Sequence, residues 1–140
     1  PEFIAYREMP AMIEAYNLIE QEPDLLIVHG SGILHPRHCG IASHLGLALN
    51  IPTIGVTDFL PLGTIEKGNI IVDNIIAGFE IKTRDHANPI YASPGHHIST
   101  GSVLNIIPKT IKTPHKMPEP LHLAQKIARK KVKSLRQEKK

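Results

Sequence analysis

The sequence contains no tryptophan, a single cysteine and only 4% aromatic residues in a chain of 140 residues. The lone cysteine, Cys39, excludes an intramolecular disulfide framework, and no cysteine-rich zinc pattern surrounds it. With so few aromatic rings, base stacking is not expected to be the main means of gripping single-stranded nucleic acid. Any grip on nucleic acid is therefore predicted to come from charge and from backbone groups.

Long apolar runs are also missing from the sequence. The longest, Leu25–Val28 and Leu45–Leu49, are far too short to cross a bilayer, and the first residues lack the basic-then-apolar pattern of a signal sequence. We therefore predict a soluble, cytoplasmic protein with no membrane partner. The length and the 41% hydrophobic content suit one domain, residues 1–140, with one buried core.

The charge is distributed unevenly along the chain. Eight of the 16 basic residues lie between Gln125 and Lys140, where Glu138 is the only acid, so this segment carries +7 against a total of +3. A basic C-terminal helix and tail, residues 125–140, is suited to binding phosphates. The same run also fits a solvated helix face, and the sequence leaves both interpretations open.

Hydrophobic spacing predicts an alternation of helices and strands. Helical periodicity covers residues 10–20, 41–49, 99–107 and the segment from Leu121 onward, and extended segments cover 25–28, 53–56, 70–72, 75–83 and 90–93. The initial helix-strand-helix-strand order predicts parallel strands, of which the one at Leu25–Val28 is expected to be buried on both faces. The later extended segments predict an antiparallel hairpin, so the fold class is mixed α/β.

A polar segment with two glycines follows the first predicted strand. It runs from His29 through Gly30, Gly32 and His35 to Arg37, beyond a strand end where open α/β sheets usually bind ligands. Exposed backbone N–H groups and Arg37 there are suited to an anion such as phosphate. A simple tight turn explains the same glycines equally well.

Several segments of the chain, taken together, resemble the endonuclease V family. They are Tyr6-Arg7-Glu8, the polar segment itself, Ile41-Ala42-Ser43-His44-Leu45-Gly46, Ile51-Pro52-Thr53-Ile54-Gly55-Val56, the Ser93-Pro94-Gly95-His96 turn, and Pro118-Glu119-Pro120 with Leu123-Ala124. The resemblance implies a ribonuclease H-like mixed sheet flanked by helices. It also implies nicking, with Mg²⁺ or Mn²⁺, of nucleic acid beside a deaminated purine such as deoxyinosine or inosine.

The family's metal-binding residues carry over only in part. Glu8 matches a metal-binding glutamate, whereas His29 stands where the family has an aspartate and Asp58 where it has a lysine. The family's histidine in the last helix falls on Gln125, and its first catalytic aspartate belongs to a hairpin that would precede Pro1. The resemblance thus implies an N-terminally truncated chain with Glu8 as its one retained metal ligand.

Two alternatives follow for the catalytic positions Glu8, His29 and Asp58. They form a substituted site that binds no metal, or they converge as a new site that suits Mn²⁺ or Zn²⁺ better than Mg²⁺. For substrate binding, the resemblance implies roles for Gly32, His35 and His96, and the phosphate-binding interpretation of the polar segment adds Gly30 and Arg37. Gly32 is expected to allow close approach of a ligand, and the two histidines otherwise order turns.

We therefore predict an endonuclease V-like DNA repair nuclease, inactive or impaired as this chain alone. One alternative is a non-catalytic DNA- or RNA-binding module. Another is a subunit whose partner completes the site, because the strand at Leu25–Val28 is expected to leave an apolar edge unpaired. That edge predicts a homo-oligomer or pairing with a partner segment.

Overall fold

One strand of the sheet, Thr53–Thr57, is buried at all five of its residues. The computed structural model describes residues 3–138. In chain order the elements are α1 (Ile4–Asn17), β1 (Leu26–His29), α2 (Ile41–Leu49), β2 (Thr53–Thr57), β3 (Thr64–Glu66), β4 (Asn69–Val72), β5 (Ile75–Ile81), β6 (Ile90–His96), α3 (Thr100–Thr110) and α4 (Glu119–Glu138).

The strands form one six-stranded sheet in the order β1-β2-β6-β5-β4-β3. β1 runs parallel to β2, with Leu26 opposite Thr53, and the other neighbouring pairs are antiparallel. A parallel pair requires a crossover connection, and α2 lies in that connection. The predicted mixed α/β class and the antiparallel hairpin are both confirmed.

Helices cover both faces of β1 and β2. Successive residues of a strand point to opposite faces, so Leu26 and Val28 pack with α1 and α2. Ile27 packs on the other side, in the core cluster that contains Val103 of α3 and Leu121 of α4. The carboxyl ends of the two strands lead to exposed residues, His29 and Asp58.

The first helix begins earlier than predicted. α1 starts at Ile4, and Pro10, which was expected to open the helix, lies inside it. An internal proline removes one helical hydrogen bond. The stripe of Ala5, Met9, Met12 and Ile13 nevertheless packs against α2 and β1, and this burial offsets the loss.

Other elements differ from the predictions because their partners are distant in the sequence. β1 is an edge strand, so Leu26 and Ile27 are only half-buried although helices cover both faces of the strand. The short, exposed β3 lies outside the predicted extended segments, and it pairs with β4 across a two-residue turn in which Lys67 and Gly68 have positive φ. The predicted turn at 93–96 is the last part of β6.

The basic segment is helical over most of its length, since α4 continues to Glu138. Lys139 and Lys140 lie outside the described residues. Within residues 3–138, no helix combines the length and apolar character needed to span a bilayer. The assignment of residues 1–140 to a single domain stays a prediction.

Candidate functional site

A cleft of about 710 Å³ lies beyond the carboxyl ends of β1 and β2, and we call it the strand-end cleft. Residues from α1, from the turn after β1, and from the segment after β2 line it. Among them are six of the predicted site residues: Glu8, His29, Gly30, His35, Arg37 and Asp58. The fold therefore brings most of the candidate residues to one place, although they are spread over 50 positions of the sequence.

The turn after β1 is fastened to both neighbouring strands by its backbone. The N–H of Gly30 donates to the carbonyl oxygen of Val56 (2.9 Å), and that of Ile33 donates to the carbonyl oxygen of Pro94 (2.9 Å). The N–H of Gly32 donates to Ser93 Oγ over 3.1 Å in a buried bond. These N–H groups are used inside the protein, so the sequence-based idea that they cradle a phosphate is wrong for these three groups.

Gly32 has a packing role that its sequence position did not reveal. It is buried and does not line the strand-end cleft. A methyl group on its Cα would overlap the carbonyl oxygen of Pro94 in β6. The close approach that Gly32 permits is therefore between two parts of this chain, which corrects the expectation that it makes room for a ligand.

His35 and Arg37 are ordered on the side of the cleft next to α1. His35 Nδ1 accepts a hydrogen bond from the N–H of Arg37 (3.2 Å), so a neutral His35 ring carries its proton on Nε2. The guanidinium carbon of Arg37 lies 4.9 Å from the centre of the Phe3 ring. This cation–π contact directs Arg37 toward the start of α1.

His96 lies at the opposite end of the strands. In the register of β2 with β6 it faces Thr53, whereas the strand-end cleft begins at Thr57, which faces Tyr91. The His96 ring stacks on His97, with 3.9 Å between the ring centres. The structure does not bring His96 to the cleft, and the substrate-binding role expected of it stays a prediction.

The acidic residues of the cleft do not form a metal site by themselves. Glu8 and Asp58 both line the cleft, and Glu8 Oε1 lies 4.0 Å from Nη2 of the largely exposed Arg7. Among residues 3–138 no three His, Cys, Asp or Glu side chains are grouped so as to hold a metal ion. Mg²⁺ prefers an octahedron of oxygens, so the residues present fit neither that ion nor the alternative site with His29.

Three exposed aromatic rings at the cleft were not anticipated from composition. Phe3, Tyr6 and Phe59 all line it, although aromatic residues are rare in the chain. The signal available in the sequence was Phe59, an aromatic residue placed directly after the strand-end Asp58. The total aromatic content concealed this local concentration.

The described part of α4 presents a second polar surface, which we call the basic face. Its members recur at helical spacing and line a shallow depression of about 330 Å³. They are His122, Gln125, Lys126, Arg129, Lys130 and Lys133. Lys131, although adjacent in sequence, is not part of this lining.

The start of α4 is braced by a histidine. His115 Nδ1 and Glu119 Oε2 are 3.0 Å apart, and this hydrogen bond, more than the neighbouring positive charges, holds the pKa of Glu119 below its usual value. The His115 ring also stacks on His122 at 3.5 Å between centres. The loop before α4 is thereby joined to the first turns of the basic face.

The chain is similar to known proteins over almost its whole length. The sequence profile of the family described as Endonuclease V matches residues 1–126. Endonuclease V of Dictyoglomus thermophilum is 38% identical over 138 residues, which cover 93% of this chain and 60% of that protein. Endonuclease V of Trichormus variabilis is 40% identical over 137 residues, covering 91% and 61%.

Solved structures of endonuclease V proteins are also similar to this chain over nearly its whole length. The crystal structure of Endonuclease_V from Bacillus subtilis has a TM-score of 0.85 and 32% identity, over 99% of this chain and 62% of that one. Ciona intestinalis Endonuclease V, in complex with a 24mer DNA containing an inosine followed by a ribo-adenosine, has a TM-score of 0.85 and 28% identity, over 96% and 67%. The chain spans about 60% of the length of the first two relatives.

Replacement of Gly32 by alanine should destabilise the fold, because the new methyl group meets backbone of β6 that has little room to move. We expect a loss of about 2 kcal/mol or more in the free energy of unfolding, measured by urea denaturation. Gly101→Ala is the control. Gly101 lies in α3 with nothing within 4 Å of the added methyl, so alanine there should be neutral or stabilising by up to about 1 kcal/mol. Equal effects of the two substitutions would contradict the packing role of Gly32.

Proposed function

The chain belongs to the endonuclease V family, and on that premise we propose that it supplies the substrate cleft of a nuclease acting on deaminated purines. The substrate class is nucleic acid that contains deoxyinosine or inosine. The Ciona intestinalis relative was solved with inosine-containing DNA, which supports this assignment. The proposal also agrees with the basic face of α4, which suits a polyanion.

The convergence of residues in the strand-end cleft carries the proposal. Glu8 reaches it from α1, His29 and Arg37 from the end of β1 and the turn that follows, and Asp58 from the end of β2. Open sheets bind ligands at this position, beyond the carboxyl ends of parallel strands. A helix-borne carboxylate next to a guanidinium and three half-buried or exposed imidazoles gives the cleft groups that bind and orient a nucleotide.

We further propose that this chain alone binds substrate without cutting it efficiently. Hydrolysis of a phosphodiester with Mg²⁺ or Mn²⁺ needs several oxygen ligands around the ions, which activate water and neutralise charge on the leaving oxygen. The grouping of acidic residues among residues 3–138 falls short of that requirement. A metal ion bound by Glu8 would need further ligands besides the acidic residues that residues 3–138 bring to the cleft.

Nicking and binding assays on the same strand separate catalysis from recognition. The purified chain should bind a duplex with one deoxyinosine, as measured by fluorescence anisotropy, and should produce no nick with Mg²⁺ or Mn²⁺. Glu8→Gln should bind equally well, because a neutral amide keeps the shape of the side chain. Metal-dependent nicking by the unmodified chain, lost in the Glu8→Gln variant, would contradict the proposal. Equal binding of a duplex without deoxyinosine would favour a non-catalytic module.

A partner-completed site is the second candidate function, and the position of β1 favours it. β1 is the edge of the sheet, with no strand among residues 3–138 on its outer side. The N–H groups of Leu26 and Gly30 donate to the carbonyl oxygens of Pro52 and Val56. By the alternation of a parallel ladder, those of Ile27 and His29 face outward and are ready to pair with another strand.

Hydrogen exchange and light scattering test this second candidate together. If a second copy or another segment pairs with β1, the Ile27 and His29 amides should gain protection as the associated form increases with concentration. The Leu26 amide is the internal control, since its bond to Pro52 lies within the chain. A scattering mass of one chain at all concentrations, with unprotected Ile27 and His29 amides, would contradict self-association.

The salt dependence of binding tests the basic face of α4. Lys130→Gln should reduce the slope of log K against log salt by roughly 0.9 for duplex DNA, because one phosphate contact and its released counterion are lost. Lys131→Gln is a matched control, since Lys131 is the next residue of the same helix and is also exposed, yet does not line the basic face. Equal slopes for the two variants would remove the basic face from the interface.

A further inference from the structure

All of the strongly exposed aromatic side chains lie in one place. Phe3, Tyr6 and Phe59 are 57%, 74% and 63% exposed, and all three line the strand-end cleft. The other three aromatic residues of the chain, Tyr16, Phe79 and Tyr91, are half-buried or buried. The packing of the protein does not account for the shared position of the first three rings. Binding of a ligand against them would account for it.

The rings are presented by well-held backbone. Phe3 and Tyr6 are one turn apart at the start of α1, with 6.1 Å between ring centres, and Tyr6 lies 6.2 Å from the ring of His44. Phe59 follows β2 directly. Its carbonyl oxygen accepts a hydrogen bond from Thr57 Oγ1 over 2.7 Å, and Thr57 is itself buried. The backbone of Phe59 is therefore held at the cleft, and its ring is exposed there.

The charges of the cleft favour a base over a phosphate as the group bound against these rings. Its lining contains two carboxylates, Glu8 and Asp58, and one guanidinium, Arg37, so it does not by itself attract an anion. Arg37 already interacts with the Phe3 ring, which leaves Tyr6 and Phe59 as the more available rings. A nucleobase combines flat apolar faces with polar edges, which suits aromatic rings beside carboxylates and imidazoles.

We propose that Phe59 and Tyr6 form a stacking surface for an unpaired nucleobase in the strand-end cleft. This inference rests on the proposed function, since it names how the cleft recognises a nucleotide of its nucleic-acid substrate. Phosphates are then bound chiefly elsewhere, for which the basic face of α4 is suited. A low total of aromatic residues is compatible with stacking when half of them line a single cleft.

The absence of tryptophan from the chain makes a direct optical test available. Phe59→Trp would be the only tryptophan, and its fluorescence should be quenched when a single-stranded inosine-containing oligonucleotide binds. The same strand made of abasic sugar-phosphate units should bind through its phosphates without quenching. Leu104→Trp is the control reporter, because Leu104 is an exposed residue of α3 that does not line the cleft. Its fluorescence should show no quenching with either strand.

Removal of the ring should weaken base-dependent binding selectively. Phe59→Ala and Tyr6→Ala should each bind the inosine-containing strand roughly 5- to 100-fold less tightly, with unchanged affinity for the abasic strand. Both side chains are exposed, so a thermal melt should show that the variants remain folded. The ratio of the two affinities thus reports stacking rather than stability.

The possible outcomes separate this inference from the proposed function. Full binding by anisotropy without quenching of the Phe59→Trp signal, or equal weakening for both strands in Phe59→Ala, would overturn the stacking surface and leave the proposed function standing. Failure of the unmodified chain to bind any inosine-containing strand would overturn both. Quenching confined to the base-bearing strand, together with its selective weakening in Phe59→Ala, would support the stacking surface.

Discussion

The hydrogen bonds from the turn after β1 to β2 and β6 hold in place the part of the strand-end cleft that this turn forms. Gly32 donates to Ser93 Oγ, and Ile33 to the carbonyl oxygen of Pro94. The turn is pressed against β6 so closely that only glycine fits at position 32. Because the turn cannot shift, His29 and Arg37 are held at fixed positions relative to the end of β2. Backbone contacts between the turn and the buried strands β2 and β6 thus fix the part of the cleft that the turn forms.

The protein separates its charges between two surfaces. The cleft lining has two carboxylates against one guanidinium, whereas the basic face of α4 has four lysine or arginine residues and no acid. Under the proposed function, the basic face attracts a polyanion and the cleft binds one of its nucleotides. This division matters because a cleft lined by more carboxylates than guanidinium groups does not attract a phosphate backbone. The basic face of α4 offers phosphates a separate surface without changing the charge of the cleft.

Sequence periodicity predicted the elements whose signals are local. α2 and β2 lie where the apolar spacing placed them, and the ends of β1 and β2 indeed carry most of the candidate site residues. What failed depended on distant partners. The packing of Gly32 on Pro94, the short β3, and the separation of His96 from the cleft all follow from strand register. A register is a property of two segments together, and no single segment encodes it alone.

The grouping of aromatic residues was missed for a related reason. Composition counts rings, whereas stacking depends on where they are exposed, and Phe3, Tyr6 and Phe59 become neighbours of one cleft only after α1 packs beside β1 and β2. The start of α1 also differs from the prediction, because Pro10 is typical of a first helical turn but lies inside this helix. That error removed Phe3 and Tyr6 from consideration as residues ordered by a helix. A local error in one element thus concealed part of the site.

The outer edge of β1 pairs with no other strand among residues 3–138, and β1 ends at the cleft whose described acidic residues are too few to form a metal site. β1 ends at His29, which lines the cleft, and Ile27 and His29 direct their N–H groups to the open side of the sheet. A strand that paired there would lie about 4.8 Å from β1. Its residue opposite His29 would stand at the rim of the cleft. In the proposed partner-completed site, a carboxylate at that position would add an oxygen ligand to Glu8 and Asp58, and the added strand would also cover the edge of β1.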